Sequence, residues 1–169
     1  MVMKLGKLEQ ITDLRSIWKH EANDFTPWLA KEENLAALSD AIGIELVLEE
    51  QESNVGDFSV DLFATEEGTG RKVVIENQLE ETNHDHLGKI ITYASGKDAE
   101  VIIWIVRKAR DEHKKAIEWL NQHTDDSSAF FLIEIEVWKI GNSDPAPKFN
   151  IVERPNDWAK AMKNVSITN

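Results

Sequence analysis

The segment Val73–Gln78 reads V-V-I-E-N-Q, an apolar run that ends in a carboxylate and two amides. Side chains of a strand alternate between its two faces, so Glu76 and Gln78 share one face and Asn77 takes the other. An earlier apolar segment carries a second acid, Asp61. Antiparallel pairing of the two segments brings the carboxylates of Asp61 and Glu76 close together.

Two neighbouring carboxylates point to metal chemistry. They repel each other, which raises a pKa unless a cation lies between them. Oxygen ligands suit hard ions such as Mg²⁺ or Mn²⁺. Such an ion polarises a phosphate and lowers the pKa of a bound water. From the pattern alone, solvated polar groups at the end of a strand are the alternative interpretation.

Helical periodicity dominates residues 1–43, the predicted N-terminal part. Apolar residues recur at roughly helical spacing in the range 8–18. Thr26 followed by Pro27 is typical of an N-cap with proline in the first turn. Gly43 then suits the C-cap of a second helical stripe. We therefore expect helices before the first strand.

The apolar period changes to two at Ile44, which predicts three strands in succession. The second of them contains Phe58–Ala64, in which every other residue is apolar and is expected to share one face, with Asp61 on the opposite face. The turn Glu66–Gly70 supplies glycines for a hairpin into V-V-I-E-N-Q.

Helices and strands alternate in the remainder of the chain. The predicted elements are a helix over His84–Ser95, a buried strand over Val101–Val106, a helix over Asp111–His123, a strand over Phe130–Trp138, a short edge strand and a helix over Pro155–Lys163. This order predicts an α/β fold with a three-layer core, in which helices flank a mixed central sheet. We expect a single domain over 1–169, with its core at 44–140 and a C-terminal extension at 141–169.

The composition constrains the compartment and the partners. The chain has no cysteine and no apolar run long enough for a membrane span or a signal peptide, so we expect a cytoplasmic protein without a membrane partner. Its net charge of −12 repels nucleic acid. Any nucleic-acid function therefore needs a local basic patch, bound cations or a basic partner.

One basic cluster interrupts this acidic chain. Its members are Arg107, Lys108, Arg110, Lys114 and Lys115. Since ligands of open sheets often lie at strand ends and at the start of the following helix, the cluster is a candidate for phosphate contacts. Asp111 and Glu112 lie within it, so a solvated helix face is an equal alternative.

Three runs of the sequence resemble the PD-(D/E)XK nuclease superfamily. They are V-G-D-F-S-V-D-L-F-A, R-K-V-V-I-E-N-Q and H-L-G-K-I-I-T-Y-A. More narrowly, the chain is similar to a bacterial family of restriction-endonuclease-like domains that also shares W-L-A, I-E-N-Q-L-E and F-F-x-I-E-x-E. The resemblance covers nearly the whole chain and implies an α-β-β-β-α-β core.

The resemblance also implies ligands. Asp61 and Glu76 take the places of the superfamily's metal-binding acids, with Mg²⁺ or Mn²⁺ as the ion and the backbone carbonyl of Asn77 as a further ligand. Superfamily members often use a third acid from an earlier element. Glu52 is the candidate here, with Glu45 and Glu49 as rivals, and a surface position is the alternative for each.

Gln78 departs from the superfamily pattern, which has a lysine at this place. An amide donates and accepts hydrogen bonds but carries no charge. If the predicted helix begins at His84, then His86, Lys89 and Tyr93 lie on one face. Lys89, or less readily His86, would then supply the missing charge. A solvated Lys89 and a helix-capping His86 are the alternative.

These residues predict a metal-dependent endonuclease that hydrolyses DNA phosphodiester bonds in restriction or defence. Asp61, Glu76, Gln78 and Lys89 are its predicted catalytic residues. A chain of this size is expected to form a homodimer or to serve a larger complex. The alternative is an inactive nuclease-fold module that binds nucleic acid or protein.

Overall fold

The computed structural model describes residues 2–55 and 58–155. Seven strands form one sheet: β1 (Leu8–Ile11), β2 (Leu46–Val55), β3 (Phe58–Glu66), β4 (Lys72–Glu81), β5 (Val101–Lys108), β6 (Ala129–Ile140) and β7 (Ala146–Glu153). The described helices are α1 (Thr26–Ala30), α2 (Glu32–Ile42), α3 (His84–Lys97) and α4 (Asp111–His123), together with a 3₁₀ turn (Leu14–Ser16) and a π-helical turn (Glu21–Phe25).

The sheet is mixed, as predicted. Its order is β1-β6-β5-β4-β3-β2, and β7 pairs with β6 as well. Strands β4, β5 and β6 run parallel, whereas β2, β3 and β4 form an antiparallel meander. Strands β1 and β7 pair antiparallel with β6. The succession α2, β2, β3, β4, α3, β5 reproduces the α-β-β-β-α-β core, so the predicted fold class is confirmed.

Helices cover both faces of the sheet and create two cores. Helices α1 and α2 pack on one face, where Leu38 and Ile75 belong to one apolar cluster. Helices α3 and α4 pack on the other face, where Ile90 and Ile117 surround Trp104. Strand β5 is buried from Val101 to Val106, which is the environment that its continuous apolar sequence predicts.

Several predicted boundaries agree closely with the structure. Helix α4 has the predicted bounds, and α3 begins at His84 as expected. Helix α2 ends at Gly43, whose φ of 74° is the left-handed conformation that a glycine C-cap adopts. The turn between β3 and β4 contains Gly68 and Gly70, both with positive φ.

The N-terminal prediction was wrong in two places. Leu8–Ile11 is a strand that pairs with the end of β6 rather than part of a helix, because tertiary pairing overrides a weak periodic signal. Thr26 lies inside the first turn of α1 and does not cap it. Its hydroxyl instead accepts a hydrogen bond from the side chain of Asn77 at 3.0 Å.

The predicted facing of β3 was also wrong. Val60 packs with Val74 and Tyr93 on the α3 side of the sheet, whereas Leu62 and Ala64 join the cluster on the opposite side. The strand therefore changes face at Asp61, so its alternation is interrupted at the residue of chemical interest.

Two further findings concern the ends of the chain and its hydropathy. The last predicted helix, over Pro155–Lys163, falls almost entirely on residues 156–169, outside the described residues. The short edge strand predicted before it is β7. No helix within 2–55 and 58–155 combines the length and the apolar composition that a membrane span requires.

Candidate active site

The candidate site forms where β4 loses its antiparallel partner. Pairing between β3 and β4 runs from Thr65 opposite Lys72 to Leu62 opposite Ile75, and stops there. Asp61 and Glu76 are the next two residues, one on each strand. From this point β5 is the partner of β4 among the residues that the structure describes.

Along the open flank of β4, carboxylates accept the backbone hydrogen bonds that a neighbouring strand would accept. The backbone N–H of Asn77 donates to Asp61 Oδ2 at 2.7 Å, and the N–H of Leu79 donates to Glu21 Oε1 at 2.7 Å. Glu21 comes from the π-helical turn and is also paired with Arg15 at 3.1 Å. Two acids thus satisfy backbone donors that a neighbouring strand would otherwise satisfy.

The side chains of β4 take the predicted faces. The amide of Asn77 bonds to Thr26 on the α1 side, whereas Gln78 bonds to Trp104 on the α3 side. Glu76 is on the side of Gln78 and is 5% exposed. Its Oε2 atom has no hydrogen-bond partner within residues 2–55 and 58–155. A buried carboxylate oxygen without a partner is costly unless a proton or a cation neutralises it.

The two central carboxyl groups hold protons unusually well. Burial raises the pKa of Glu76, and the nearby charge of Asp61 raises it further, to about 9. Burial likewise raises the pKa of Asp61, to about 7, against the lowering effect of the hydrogen bond from Asn77. Near neutral pH without a metal, the pair therefore retains at least one proton.

Two more charged residues act on the pair. The positive charge of Lys89 lowers the pKa of both Asp61 and Glu76, and the negative charge of Glu52 raises both. Lys89 and Glu52 therefore influence the charge state of the two carboxyl groups. Glu52 has a φ of 50° and lies between Gln51 and Ser53, whose partners on β3 are the residues on either side of Asp61.

The rival acids have other surroundings. Glu49 accepts a hydrogen bond from the hydroxyl of Thr65 at 2.9 Å. Glu45 is exposed ahead of β2, and its backbone carbonyl accepts from the N–H of Glu67 at 2.9 Å. Of the three early acids that the sequence offered, Glu52 is the one whose charge acts on Asp61 and Glu76.

Helix α3 turns a chemically mixed face towards the site. The charges of Glu76 and Asp61 raise the pKa of the Tyr93 phenol, although burial is the larger cause. Burial lowers the pKa of His86, and the charge of Lys89 lowers it further. His86, Lys89 and Tyr93 lie at positions i, i+3 and i+7 of α3, the spacing of one helix face.

Gln78 is completely buried, at 0% exposure, and both ends of its amide have protein partners. Its Nε2 donates to the carbonyl of Glu81 at 2.8 Å, and its Oε1 accepts from the indole N–H of Trp104 at 3.2 Å. These bonds fix the end of β4 against β5. They leave this amide no open direction towards solvent.

The predicted basic cluster lies at the carboxyl ends of β4 and β5, where Lys108 is opposite Glu81. Part of its charge is neutralised locally. Arg110 pairs with Glu112 at 2.8 Å, and Lys114 lies 3.7 Å from Asp111. The three remaining members are exposed: Arg107, Lys108 and Lys115.

The donor set fits a hard divalent ion with water completing its coordination. Within the described ranges no group of three or more His, Asp or Glu side chains is arranged to hold a metal. The site offers two carboxylates and the carbonyl of Asn77, which faces the same flank as its N–H because both groups of a strand residue point to one neighbour. Mg²⁺ binds typically to one or two carboxylates and keeps several waters.

Two features of this site were not predicted from the sequence. Glu21 acts on a residue 58 positions away, and no spacing rule links a turn before the first helix to the flank of β4. Tyr93 was placed on the correct face of α3, but only the neighbouring acids reveal its proximity to them.

Comparisons with known proteins give weak similarities. No family model matches the chain, and no curated protein matches it significantly. A repair endonuclease from Pyrococcus abyssi is 17% identical with a TM-score of 0.41, and covers 53% of this chain and 44% of its own. EndoMS in complex with double-stranded DNA is 16% identical with a TM-score of 0.42, at 53% and 41% coverage. The chain thus spans less than half the length of either structure.

Proposed function

We propose that this chain is a divalent-metal-dependent nuclease that hydrolyses DNA phosphodiester bonds and acts in restriction or defence. The observation that supports the proposal is the pair formed by the buried Glu76 and the half-buried Asp61 on the open flank of β4. Both carboxyl groups have raised pKa values, and one oxygen of Glu76 has no partner. The resemblance of the same segments to PD-(D/E)XK nucleases supports the choice of reaction.

Each residue of the site has a role in this proposal. Asp61, Glu76 and the carbonyl of Asn77 would hold Mg²⁺ or Mn²⁺, and the bound ion would supply charge stabilisation at the phosphate and an acidified water. Lys89 places a cation beside the carboxylates, in the role that the superfamily gives to the lysine missing at position 78. Gln78 positions β4 through its bonds to Trp104 and Glu81.

Substrate contacts fall to the outer residues. Glu52 adds negative charge at the ion and strengthens its binding. The exposed members of the basic cluster, Arg107, Lys108 and Lys115, contact DNA phosphates and offset the charge of −12. A homodimer or a larger complex would bring a second copy of the site to the opposite strand of a duplex.

Titration calorimetry with Mn²⁺ tests the site, and plasmid nicking with Mg²⁺ or Mn²⁺ tests the activity. We expect Glu76→Ala to abolish heat of binding and to lower the nicking rate by about 100-fold or more, since it removes a group that acts on transition-state charge. Glu81→Gln is the matched control, because it changes an exposed carboxylate on the same strand. Equal nicking by wild type and Glu76→Ala would refute the proposal.

The second candidate is an inactive binding module that keeps the nuclease fold. The engaged amide of Gln78 favours it, because an E-x-K nuclease has a free ammonium group at that position. The same two assays separate the candidates. Mn²⁺ binding that depends on Glu76, without nicking of supercoiled, relaxed or single-stranded DNA, would establish the module and exclude the enzyme.

A further inference from the structure

A groove lies between α2 and the beginning of β2, at the opposite end of β2 from Glu52. Its cavity volume is about 430 Å³, and Leu35, Leu46 and Leu48 contribute apolar surface to it. Carboxylates surround these residues, and no lysine or arginine lines the groove. The acidic members are Glu32, Asp40, Glu45 and Glu67.

Backbone groups of β2 open onto the same groove. The N–H of Glu67 donates to the carbonyl of Glu45, so the backbone groups of Glu45 point towards β3. Because backbone direction alternates along a strand, the backbone groups of Leu46 and Leu48 point away from β3. The N–H of Leu46 is satisfied by the hydroxyl of Ser39 on α2, at 3.0 Å. Strand β2 ends the sheet, and in the described ranges no strand pairs with the outward groups of Leu48.

We propose that this groove binds an extended, basic segment of a partner protein, which adds to β2 as an edge strand. Backbone hydrogen bonds at Leu48 provide strand addition, and an apolar side chain of the segment enters the floor at Leu35 and Leu46. Lysine or arginine side chains of the segment pair with the acidic rim, so charge complementarity selects the partner.

The inference goes beyond the nuclease proposal and does not depend on it. Leu46 and Glu52 are six positions apart along an extended strand, so their Cα atoms are separated by about 20 Å. A segment bound in the groove therefore does not cover the surroundings of Asp61 and Glu76. A basic partner would also offset the negative charge that opposes an approach to nucleic acid.

The test uses a synthetic, capped peptide of alternating lysine and valine, with its binding measured by fluorescence polarisation. We expect a dissociation constant of about 10–100 μM, in the range of weak strand-addition complexes. Asp40→Asn combined with Glu67→Gln, one change on each wall, should weaken binding at least fivefold. Glu9→Gln combined with Glu33→Gln alters the net charge equally outside the groove and should change binding less than twofold.

Three further probes distinguish strand addition from simple attraction of cations. The same peptide with alternate backbone N-methyl groups cannot pair and should not bind. Spermine and a helical lysine–alanine peptide should bind at least tenfold more weakly than the extended peptide. Protection of the Leu48 amide from hydrogen exchange should rise with the extended peptide alone. Absence of binding, or equal binding by spermine and the N-methylated peptide, would overturn the inference.

Discussion

The two halves of β4 are equally buried but differ in how their backbone and side chains are satisfied. From Val73 to Ile75 the strand is paired on both sides and its side chains are apolar. From Glu76 to Gln78 its strand partner among the described residues is β5, and the open flank from Asn77 to Leu79 is closed by Asp61 and Glu21. Burial in the first half contributes apolar packing, whereas burial in the second half concentrates groups that need a counter-charge.

The difference shows how a stable sheet can carry a reactive group. The paired half and β5 hold the backbone of Glu76 in place, so its carboxyl cannot move away to solvent. The departure of β3 opens a gap beside it, which carboxylates fill. The free energy of unfolding should therefore respond in opposite directions to changes at two adjacent residues, Ile75 and Glu76.

The largest effect is expected from Ile75→Ala. Ile75 is completely buried between β3 and β5, so the substitution leaves a cavity and should lower the free energy of unfolding by about 2–5 kcal/mol. Denaturant titration measures this loss. Mn²⁺ affinity of the folded variant should stay within about threefold of wild type, and a parallel loss of affinity would contradict the separation of the two halves.

Glu76→Gln should have the opposite sign. At about pH 8 without metal, folding of wild type requires the buried Glu76 carboxyl either to take up a proton or to stay charged, and both cost free energy. An amide requires neither, so we expect Glu76→Gln to raise the free energy of unfolding by about 1–3 kcal/mol. Thermal denaturation in a chelator measures the gain. Mn²⁺ should raise the melting temperature of wild type and not that of the variant, whereas Glu81→Gln should behave as wild type.

The pH dependence of stability sharpens the same contrast. The folded pair binds protons up to about pH 7 for Asp61 and 9 for Glu76, above their ordinary values of 3.8 and 4.5. The folded state then binds more protons than the unfolded state, so stability falls as pH rises from about 4 towards 9, by about 1.4 kcal/mol per pH unit for each proton that only the folded state retains. Urea titrations of metal-free wild type and of Asp61→Asn with Glu76→Gln measure the difference. An equal or steeper fall of the unfolding free energy with pH in the double variant would show that Asp61 and Glu76 do not cause the pH dependence.

Lys89→Ala should have the smallest effect. We expect nicking to fall about tenfold, or ~1.4 kcal/mol, with Mn²⁺ binding retained, because Lys89 acts on the carboxylates through charge. Lys89→Arg keeps the charge and should restore part of the rate. Lys115→Ala, which removes an exposed cation of α4, separates this effect from general DNA affinity. Undiminished nicking by Lys89→Ala would remove Lys89 from the mechanism.

Elements with a strong periodic signal were predicted well. The apolar run of β5 and the amphipathic stripes of α3 and α4 specify burial through local sequence, and the structure agrees with them. Strand β1 was missed because its four residues, three of them exposed, carry no such signal and form a strand only by pairing with β6. The change of face at Asp61 was missed for a similar reason, since the positive φ of Glu52 and the register shift between Leu48 and Glu50 both lie on the neighbouring strand.

The site was predictable only where a short motif specifies it. V-V-I-E-N-Q gave the facing of Glu76, Asn77 and Gln78, and the helical register of α3 gave Lys89. Glu21 belongs to the same flank through a contact between segments 58 positions apart, which no local pattern encodes. Long-range hydrogen bonds of this kind require the assembled sheet.

The buried surroundings of Gln78 restrict which substitutions are tolerated at this position. The indole N–H of Trp104 donates a hydrogen bond there, so the side chain at position 78 must supply an acceptor. Lysine at position 78 would set an ammonium group against that donor in a space without solvent, and the buried indole N–H would lose its acceptor. A return to the E-x-K pattern therefore requires Trp104 to change together with Gln78, since either replacement alone leaves a mismatched pair inside the core.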